Sequence, residues 1–416
     1  MNKERRVVVT GYGAITSLGR NAGELWQSIN GYKLGYARHE FADKKIGARF
    51  FGFIEDDKAR YKPFKKTLLR AVPAFGRHAL VAADEAMKMA FGDDADCDKY
   101  YDPFDCGVIV GTGWGGCDSV NDNNAAYLRQ GLSSPFSTLM SMNSIATAVL
   151  AMNWNLRGYQ NTPVAACASG TIALGDAFEV IRSGRADMML AGGSESLKEQ
   201  FNVWSIDVLQ ALSKEQEDPA FACCPFDRRR SGFVLSEGSA ILVLEEFESA
   251  KRRDAPILGE IVGYANTTDA EDFTAPAQDM RARVSAIRGA CKQAGIGASD
   301  IDYINAHGTS TPLNDLNESN AIKLAIGDPV YDIPMSSTKS YTGHLIGAAG
   351  ALEALLCLKT LETGTIPATI NLNEPDPDCD LDYTPNQHRD AGPLDHALNL
   401  SFGFGGANAA LVLKRL

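Results

Sequence analysis

The sequence predicts an α/β protein assembled from two related halves, each containing a largely parallel sheet. Apolar runs of strand length alternate with helical patterns along the whole chain. Residues 238–245 resemble residues 407–414, and the stretch that begins at Cys167 resembles the stretch from Lys339 to Gly364. Such self-similarity indicates a duplicated α/β unit. The predicted halves span residues 1–255 and 256–416.

Each element follows from its local pattern. Short apolar runs ending near glycine predict buried strands, whereas apolar residues at helical spacing predict helices. In the first half we predict strands in 6–18, 106–116 and 187–193 and at 238–246, a strand and a helix within 163–183, and helices at 20–30, 64–91 and 137–155. In the second half we predict strands at 256–268, 301–306, 397–402 and 408–414, and a helix at 345–362. Residues 31–63 lack a clear period and are predicted to cross the surface.

The glycines of the first predicted strand are a weak signal for dinucleotide binding. Gly11 and Gly13 form a Gly-x-Gly pair, but Thr16 stands where the third glycine of the fingerprint belongs. The pattern therefore favours a tight strand-to-helix turn.

Composition excludes several classes of protein. The chain has 416 residues and a formal charge of −12, which disfavours general nucleic-acid binding. It lacks an apolar run of the roughly 18 residues that a membrane span needs, and its basic start leads at once into a strand pattern, unlike a signal peptide. Nine cysteines show no metal-ligand or disulfide spacing. We expect a cytoplasmic protein without membrane contact.

Cys167 is the first candidate catalytic residue. It ends the apolar run that starts at Pro163 and stands where a helix is predicted to begin. The positive end of a helix dipole favours a thiolate, and free backbone N–H groups there can hold an oxyanion. A buried structural cysteine is the alternative on this stretch alone.

Two of the six histidines strengthen the catalytic interpretation of Cys167. His307 and His344 each lie among Gly, Ser and Thr after an apolar strand, where loops carry function. Because ligands collect at the carboxyl ends of strands in α/β folds, the two histidines and Cys167 are expected on one face. A metal bound by the three residues is disfavoured, since close ligand spacing is missing.

A basic cluster stands out in this acidic chain. Lys65, Lys66 and Arg70 lie at the start of the predicted helix 64–91. A charge run is usually a solvated face, but here it also offers a local docking site for an acidic protein partner.

Five motifs in order resemble a β-ketoacyl-acyl carrier protein synthase of the elongating type, in the thiolase superfamily. The resemblance runs nearly end to end. The motifs are Val7-Val-Val-Thr-Gly, Ala166-Cys167-Ala-Ser-Gly, Asn305-Ala-His307-Gly-Thr-Ser-Thr, Ser337-Thr-Lys339-Ser with Gly343-His344, and Ser401-Phe-Gly-Phe404-Gly-Gly.

The resemblance implies a fold and a set of roles. The fold would be thiolase-like, with its two halves forming a five-layered α-β-α-β-α core. Cys167 would carry the acyl group, while His307 and His344 would promote decarboxylation of malonyl-acyl carrier protein. The remaining implied roles are support of the histidines by Lys339 and Glu353, an oxyanion hole and gate at Gly403, Phe404 and Gly405, and substrate binding by Thr274, Thr309 and Thr311. No cofactor is implied, because the phosphopantetheine belongs to the carrier protein.

Other branches of the superfamily fit less well. The initiating branch has His and Asn in place of two histidines, and thiolases carry a second cysteine near the C-terminal glycine motif, which residues 401–408 lack. The resemblance therefore implies chain elongation in fatty-acid or type II polyketide synthesis, with acyl carrier protein as partner. The chain would form either a homodimer or a heterodimer with a related subunit.

Departures from the family pattern concern the acyl pocket. Ala165 and Ala168 replace residues that are commonly Thr and Ser or Thr around the cysteine. Trp114 stands where a smaller aliphatic residue is usual, and Ser137 follows Phe136 where a second aromatic residue is frequent. These changes keep open a dedicated polyketide or polyene ketosynthase that pairs with a cysteine-less chain-length partner.

Overall fold

The computed structural model describes residues 5–42, 45–55 and 57–416 and contains a large mixed sheet flanked by helices. Its strands are β1 (Val7–Thr16), β2 (Ala37–Arg38), β3 (Phe50–Gly52), β4 (Cys106–Gly111), β5 (Gln160–Asn161), β6 (Met188–Glu195), β7 (Leu235–Ser236), β8 (Gly238–Glu246), β9 (Gly259–Thr268), β10 (Tyr303–Asn305), β11 (Met335–Ser336), β12 (Thr365–Ile366), β13 (Arg389–Asp390), β14 (His396–Gly403) and β15 (Ala407–Lys414).

The helices surround this sheet. They are α1 (Ala22–Asn30), α2 (Lys66–Leu69), α3 (Ala74–Phe91), α4 (Cys117–Gln130), α5 (Ser137–Met140), α6 (Ile145–Trp154), α7 (Ser169–Arg182), α8 (Gln200–Asp207), α9 (Pro219–Ala222), α10 (Phe247–Arg252), α11 (Arg281–Ala294), α12 (Pro312–Ile326), α13 (Lys339–Thr342) and α14 (Ala349–Thr363). Among the described residues, no helix has the length and apolar character needed to cross a membrane.

The sheet repeats one topology twice. Its first five strands run in the spatial order β5-β4-β6-β8-β1, and the other five run in the order β11-β10-β14-β15-β9. Numbered along the chain within each half, both orders are 3-2-4-5-1. The two halves join where β1 pairs with β9. This repeat confirms the predicted duplication.

The prediction of a largely parallel sheet is wrong for the strands nearest the junction of the halves. β4 is parallel to β5 and β6, but β6–β8 and β8–β1 are antiparallel, and the second half has the same arrangement. Between β14 and β15 only Phe404–Gly406 intervene. A connection that short reverses the chain into an antiparallel neighbour, because a parallel neighbour requires a long crossover.

Three apolar clusters fill the spaces between five layers. α3 and α6 cover one face of the first half-sheet, and α11 and α12 cover the outer face of the second. α7 and α14 pack against each other between the half-sheets, where their Ala and Leu side chains join the strands in one buried cluster. The start of α7 therefore lies at the centre of the molecule.

Several predicted elements have different bounds. The helix predicted at 64–91 is broken into α2 and α3, because Pro73 lacks an N–H and its ring opposes a continuous helix. The helix predicted at 137–155 is likewise two helices, α5 and α6. The strand expected from Pro163 is also wrong, since β5 ends at Asn161 and the chain reaches Cys167 as an irregular segment.

Candidate active site

Cys167 lies in a tight turn that leads into α7. A 3₁₀ turn, Ala166–Ala168, precedes the helix, and Ala166 has a φ of +46°, in the left-handed region. The Ser169 hydroxyl accepts from the Ala165 N–H at 2.8 Å and lies 2.8 Å from the Ala166 carbonyl, to which it can donate. A left-handed alanine costs about 1 kcal/mol or more, so these hydrogen bonds help to hold the turn that presents the thiol.

The loop between β14 and β15 approaches this turn closely. A Cβ added at Gly403 would lie 2.8 Å from the Ala165 carbonyl oxygen and 3.2 Å from the Cys167 nitrogen. Only a glycine therefore lets the loop come this near. The approach brings the Phe404 N–H to the Cys167 sulfur, and it brings the loop close to the Cys167 backbone nitrogen.

The prediction that Cys167 has a lowered pKa is wrong. Burial raises the pKa of this thiol to about 12, although the nearby Lys339 and the Phe404 N–H act in the opposite direction. The side chain is only 5% exposed, and desolvation disfavours the thiolate. Cys167 at rest is therefore a thiol that must lose its proton as it reacts.

His344 presents one ring nitrogen without a partner. The Ile346 N–H donates to His344 Nδ1 at 3.2 Å, so Nδ1 carries no proton and the neutral ring is protonated at Nε2. The Nε2 atom is buried and lacks a hydrogen-bond partner among the described residues. Burial and Lys339 hold the pKa of His344 well below its usual range. The ring is therefore a neutral N–H donor that waits for an acceptor.

His307 is held from two sides. Its backbone N–H and that of Gly308 donate to the two carboxyl oxygens of the buried Glu318, at 2.6 and 2.8 Å. Its Nδ1 lies 3.4 Å from Lys339 Nζ, and a donating lysine leaves the ring proton on Nε2. Burial, followed by the charge of Lys339, lowers the pKa of His307 strongly. Both imidazoles are therefore neutral near pH 7.

Lys339 and Glu353 form a fully buried ion pair behind the histidines. Lys339 Nζ donates to Glu353 Oε1, and both side chains are almost completely inaccessible. Burial raises the pKa of Glu353 to about 7, with Lys339 opposing that rise. Because the pair is joined to His307 through Lys339, it fixes the orientation of that ring.

The three candidate groups meet. Cys167 Sγ and one ring nitrogen each of His307 and His344 all lie within 4.8 Å of one another, and the two rings stand edge to face with centroids 5.4 Å apart. A zinc site can use these ligand types. However, the Lys339 ammonium beside His307 opposes a second cation, which favours acid–base and oxyanion chemistry.

A cavity of about 400 Å³ opens onto the three groups. The predicted substrate-binding residues Thr274, Thr309 and Thr311 all line it, and Gly403 and Phe404 form another part of its wall. The hydroxyls of Thr309 and Thr311 are 2.9 Å apart. A molecule bound in this cavity therefore contacts Cys167 and both histidines.

The predicted acyl-pocket residues do not line this cavity. Trp114 is half-buried and packs against the apolar cluster that contains Cys167 and Ile346. Phe136 and Ser137 lie half-buried at the start of α5. Gly405 is exposed in the loop, with a φ of +78°, and donates its N–H to the Phe273 carbonyl.

The basic cluster lies on the surface at α2. Lys65 caps this short helix, Lys66 begins it and Arg70 follows it, and all three side chains are exposed. Their charges are therefore available to a partner.

Two buried glutamates at the site were not predicted from the sequence. Glu318 anchors the His307 loop, as described above. Glu195, at the end of β6, accepts from the Gly113 N–H at 2.6 Å, from the Thr112 hydroxyl at 3.0 Å and from the Gly347 N–H at 3.2 Å. It thereby ties the turn after β4 to the segment after His344. Glu195 could have been found from the sequence, because a carboxylate at the end of a buried apolar strand is a sign of a functional residue. Glu318 could not, because it lies in an ordinary helical pattern.

Comparisons with known proteins agree along the whole chain. Residues 4–250 match the family model of the β-ketoacyl synthase N-terminal domain, and residues 258–373 match that of the β-ketoacyl synthase C-terminal domain. A 3-oxoacyl-[acyl-carrier-protein] synthase 2 from Synechocystis is 41% identical over 420 residues, covering 99% of each chain.

Solved structures share the fold. One is a ketosynthase of a type II polyketide synthase, in complex with its acyl-carrier protein and bound to the hexaketide; it is 35% identical with a TM-score of 0.91 and 100% coverage of both chains. Another is the ishigamide ketosynthase/chain length factor, at 31% identity and a TM-score of 0.90, again with 100% coverage of both chains.

Proposed function

The chain belongs to the β-ketoacyl synthase family, and we propose that it condenses an acyl thioester with malonyl-acyl carrier protein to give β-ketoacyl-acyl carrier protein. The reaction is a decarboxylative Claisen condensation, and the enzyme is an acyltransferase of chain elongation. The observation that carries the proposal is the unpartnered His344 Nε2, which faces the same site as His307 and Cys167.

Acyl transfer comes first. The Cys167 sulfur attacks the thioester carbonyl, a new S–C bond forms, and the bond to the phosphopantetheine sulfur breaks. The thiol proton passes to the departing sulfur, so the exchange is balanced. The N–H groups of Cys167 and Phe404 stabilise the oxyanion, as preorganised backbone donors do in acyl transfer generally.

Condensation follows on the acylated enzyme. The malonyl group loses CO2 by cleavage of its C–C bond, and the electron pair moves to the thioester oxygen as an enolate. Neutral His307 and His344 donate from Nε2 to that oxygen, where charge develops. The enolate carbon then attacks the acyl carbonyl, the Cys167 S–C bond breaks, and the sulfur regains a proton from the medium.

Lys339 and Glu353 act through His307. Their ion pair keeps a cation beside Nδ1 of that ring, which fixes the tautomer that donates from Nε2.

The arm that carries the thioester is bound by Thr274, Thr309 and Thr311, since these residues line the cavity leading to Cys167. The gate consists of Gly403, Phe404 and Gly405. The part of the site that receives the acyl chain is shaped by Trp114, Phe136 and Ser137. The substrate's phosphopantetheine belongs to the carrier, so no separate cofactor takes part.

The partners are acyl carrier protein and a second synthase-like chain. The acidic carrier docks at Lys65, Lys66 and Arg70, whose exposed positive charges support this assignment. A dimer is supported by the edge strand β5 and by nearby exposed apolar side chains, among them Met152 and Val164.

We place the protein in the cytoplasm, because all nine cysteines are free thiols. The boundary between its two halves falls near residue 255.

A polyketide or polyene ketosynthase working with a cysteine-less chain-length partner is the second candidate. The likeness to a ketosynthase/chain length factor structure supports it, as do the unusual Trp114 and Ser137. The 41% identical 3-oxoacyl-[acyl-carrier-protein] synthase 2 covers nearly the whole chain and favours general chain elongation.

The test is a reconstituted reaction. Purified protein is incubated with butyryl-carrier and malonyl-carrier, and both CO2 and carrier-bound product are measured. One β-ketoacyl-carrier for each CO2 is expected. Absence of both products, under conditions in which the carriers are loaded, would refute the proposed reaction. Mass of the native complex then separates a homodimer from a heterodimer.

A further inference from the structure

Arg283 is a buried cation in the wall of the active-site cavity. It is the third residue of α11 and is 5% exposed, yet it lies among the residues that line the cavity with His307 and the threonines. Its neighbours on the buried face of the helix are Ala286, Ile287 and Ala290. A guanidinium here is an exception in an apolar helix face.

Part of the Arg283 guanidinium lacks the hydrogen-bond partners that normally stabilise a buried charge, among the residues that the structure describes. Its Nε and Nη1 atoms are inaccessible and have no hydrogen-bond partner among the described residues. Asp269, Asp315 and Glu318 influence it at longer range, but each already accepts hydrogen bonds from other groups. Burial lowers the pKa of Arg283 to about 10, so the group remains a cation at neutral pH.

The place of Arg283 in the first turn of α11 is a second energetic cost to the folded protein. A cation in the first turn of a helix is repelled by the positive end of the helix dipole. Burying a charge without a close partner is also unfavourable. The cation–π contact between the Arg283 guanidinium and the Phe402 ring offsets only part of these costs, so a ligand explains the arginine better than folding does.

The duplicated half shows what the fold itself requires. At the position of α3 that corresponds to Arg283, the first half has Ala79, which is completely buried. The correspondence follows from equivalent strand-to-helix contacts, which are Gly11 with Ala86 and Gly263 with Ala290. The architecture therefore accepts a small apolar side chain at this point.

The orientation of Arg283 directs it toward the reacting groups. Its guanidinium lies over the Phe402 ring at 4.3 Å, and the same ring also stands edge to face with His307 at 5.9 Å. Stacking leaves the in-plane N–H donors of a guanidinium free to bind a planar anion such as a carboxylate. The charge of Arg283 also reaches His307, whose pKa it helps to lower.

We infer that Arg283 forms an anion subsite that binds the free carboxylate of the malonyl group before decarboxylation. The inference rests on the proposed function, in which only the extender thioester brings a carboxylate into this cavity. The phosphate of the carrier arm is a poorer occupant, because Arg283 is buried and that phosphate accompanies every carrier substrate. The contact belongs to the bound substrate and is lost when CO2 forms, so it contributes to binding rather than to the barrier.

The test separates the malonyl substrate from the acyl substrate. Wild type, Arg283→Met, Arg283→Lys and the exposed-site control Arg281→Met are compared for condensation at varied malonyl-carrier and for transfer of butyryl from its carrier to Cys167. Arg283→Met is expected to raise KM for malonyl-carrier by about 10- to 100-fold, the usual loss for a charge-assisted hydrogen bond, without lowering kcat more than about twofold. Butyryl transfer and the Arg281→Met control should stay within about twofold, and Arg283→Lys should recover part of the affinity.

Stability supplies the second readout. Arg283→Met is expected to keep or raise the melting temperature, because it removes an unpaired buried charge. An unchanged KM for malonyl-carrier, an equal loss with both carriers, or a lowered melting temperature would each overturn the subsite. Wild-type enzyme that forms no β-ketoacyl product would instead refute the proposed function itself, so the two failures are distinguishable.

Discussion

The Ile346 N–H donates to Nδ1 of His344 at 3.2 Å, and this single backbone contact fixes which ring nitrogen carries the proton. The Nε2–H that results is buried and unpartnered in the described structure. An unsatisfied buried donor is unfavourable in the resting protein. It becomes useful when an oxyanion arrives, because no reorganisation is then needed.

Replacing His344 by Ala should suppress decarboxylation of malonyl-carrier by a factor on the order of 10²–10³, the usual effect of losing one oxyanion donor. Transfer of the acyl group to Cys167 should persist in part, since the backbone donors remain. His307→Ala should behave similarly. The control is His396→Ala, whose ring contacts the Asp300 carbonyl at the start of β14. Near wild-type condensation in both active-site variants would contradict the assigned roles.

Glu318 predicts a pH dependence of stability. Burial raises the pKa of this carboxyl to about 7 from 4.5, so the folded state binds its proton more tightly than the unfolded state. Its stabilising contribution is therefore complete below pH 4.5 and is lost as the pH rises toward 7. The difference in unfolding free energy between wild type and Glu318→Gln should fall across that window.

Chemical denaturation at several pH values measures this difference. The exposed Glu271→Gln serves as a matched control for replacing one glutamate by glutamine. A wild-type advantage that grows between pH 4.5 and 7 would have the wrong sign.

Phe402 and Phe404 are aromatic residues separated by Gly403, and different functions are expected for them. Phe402 is 4% exposed and belongs to the packed core of the second half, so Phe402→Ala should lower the free energy of unfolding by about 3–5 kcal/mol.

Phe404 is half-buried beside two glycines with positive φ, an arrangement suited to a hinge. Phe404→Ala should cost much less and should let malonyl or bulky groups reach Cys167 before acylation. Thermal denaturation run beside acyl-selectivity profiles checks both; a large melting shift with unchanged selectivity in Phe404→Ala would exclude the gate.

Charge reversal at Lys65, Lys66 and Arg70 should raise KM for carrier substrates and flatten the salt dependence of that KM. Reaction with small acyl-thioester mimics should be unchanged, because they do not need the docking surface. Lys292→Glu, an exposed lysine on α11, controls for net charge. An equal loss with carrier and mimic substrates would point to a different docking face.

The duplicated α/β architecture could be predicted because each half repeats its apolar runs. The site could be located because the patterns around Cys167, His307 and His344 predict the ends of strands or the starts of helices. The antiparallel inner strands were missed, although the three residues between β14 and β15 leave room only for a reversal. The thiol pKa was also missed, because the effect of the helix start is visible in sequence whereas the burial of Cys167 is a tertiary property. Glu318 and Arg283 could not be found for the same reason: each lies in an unremarkable helical pattern, and only packing places it at the site.

The central claim is that Cys167 carries the acyl group. The most direct measurement is peptide mass spectrometry after incubation with an acyl-carrier protein in the absence of malonyl-carrier. The account predicts one added acyl mass on the peptide that contains Cys167, its loss in Cys167→Gln, and no condensation by that variant. Acyl mass on Cys223, Cys224 or Cys291, with Cys167 unmodified, would contradict it.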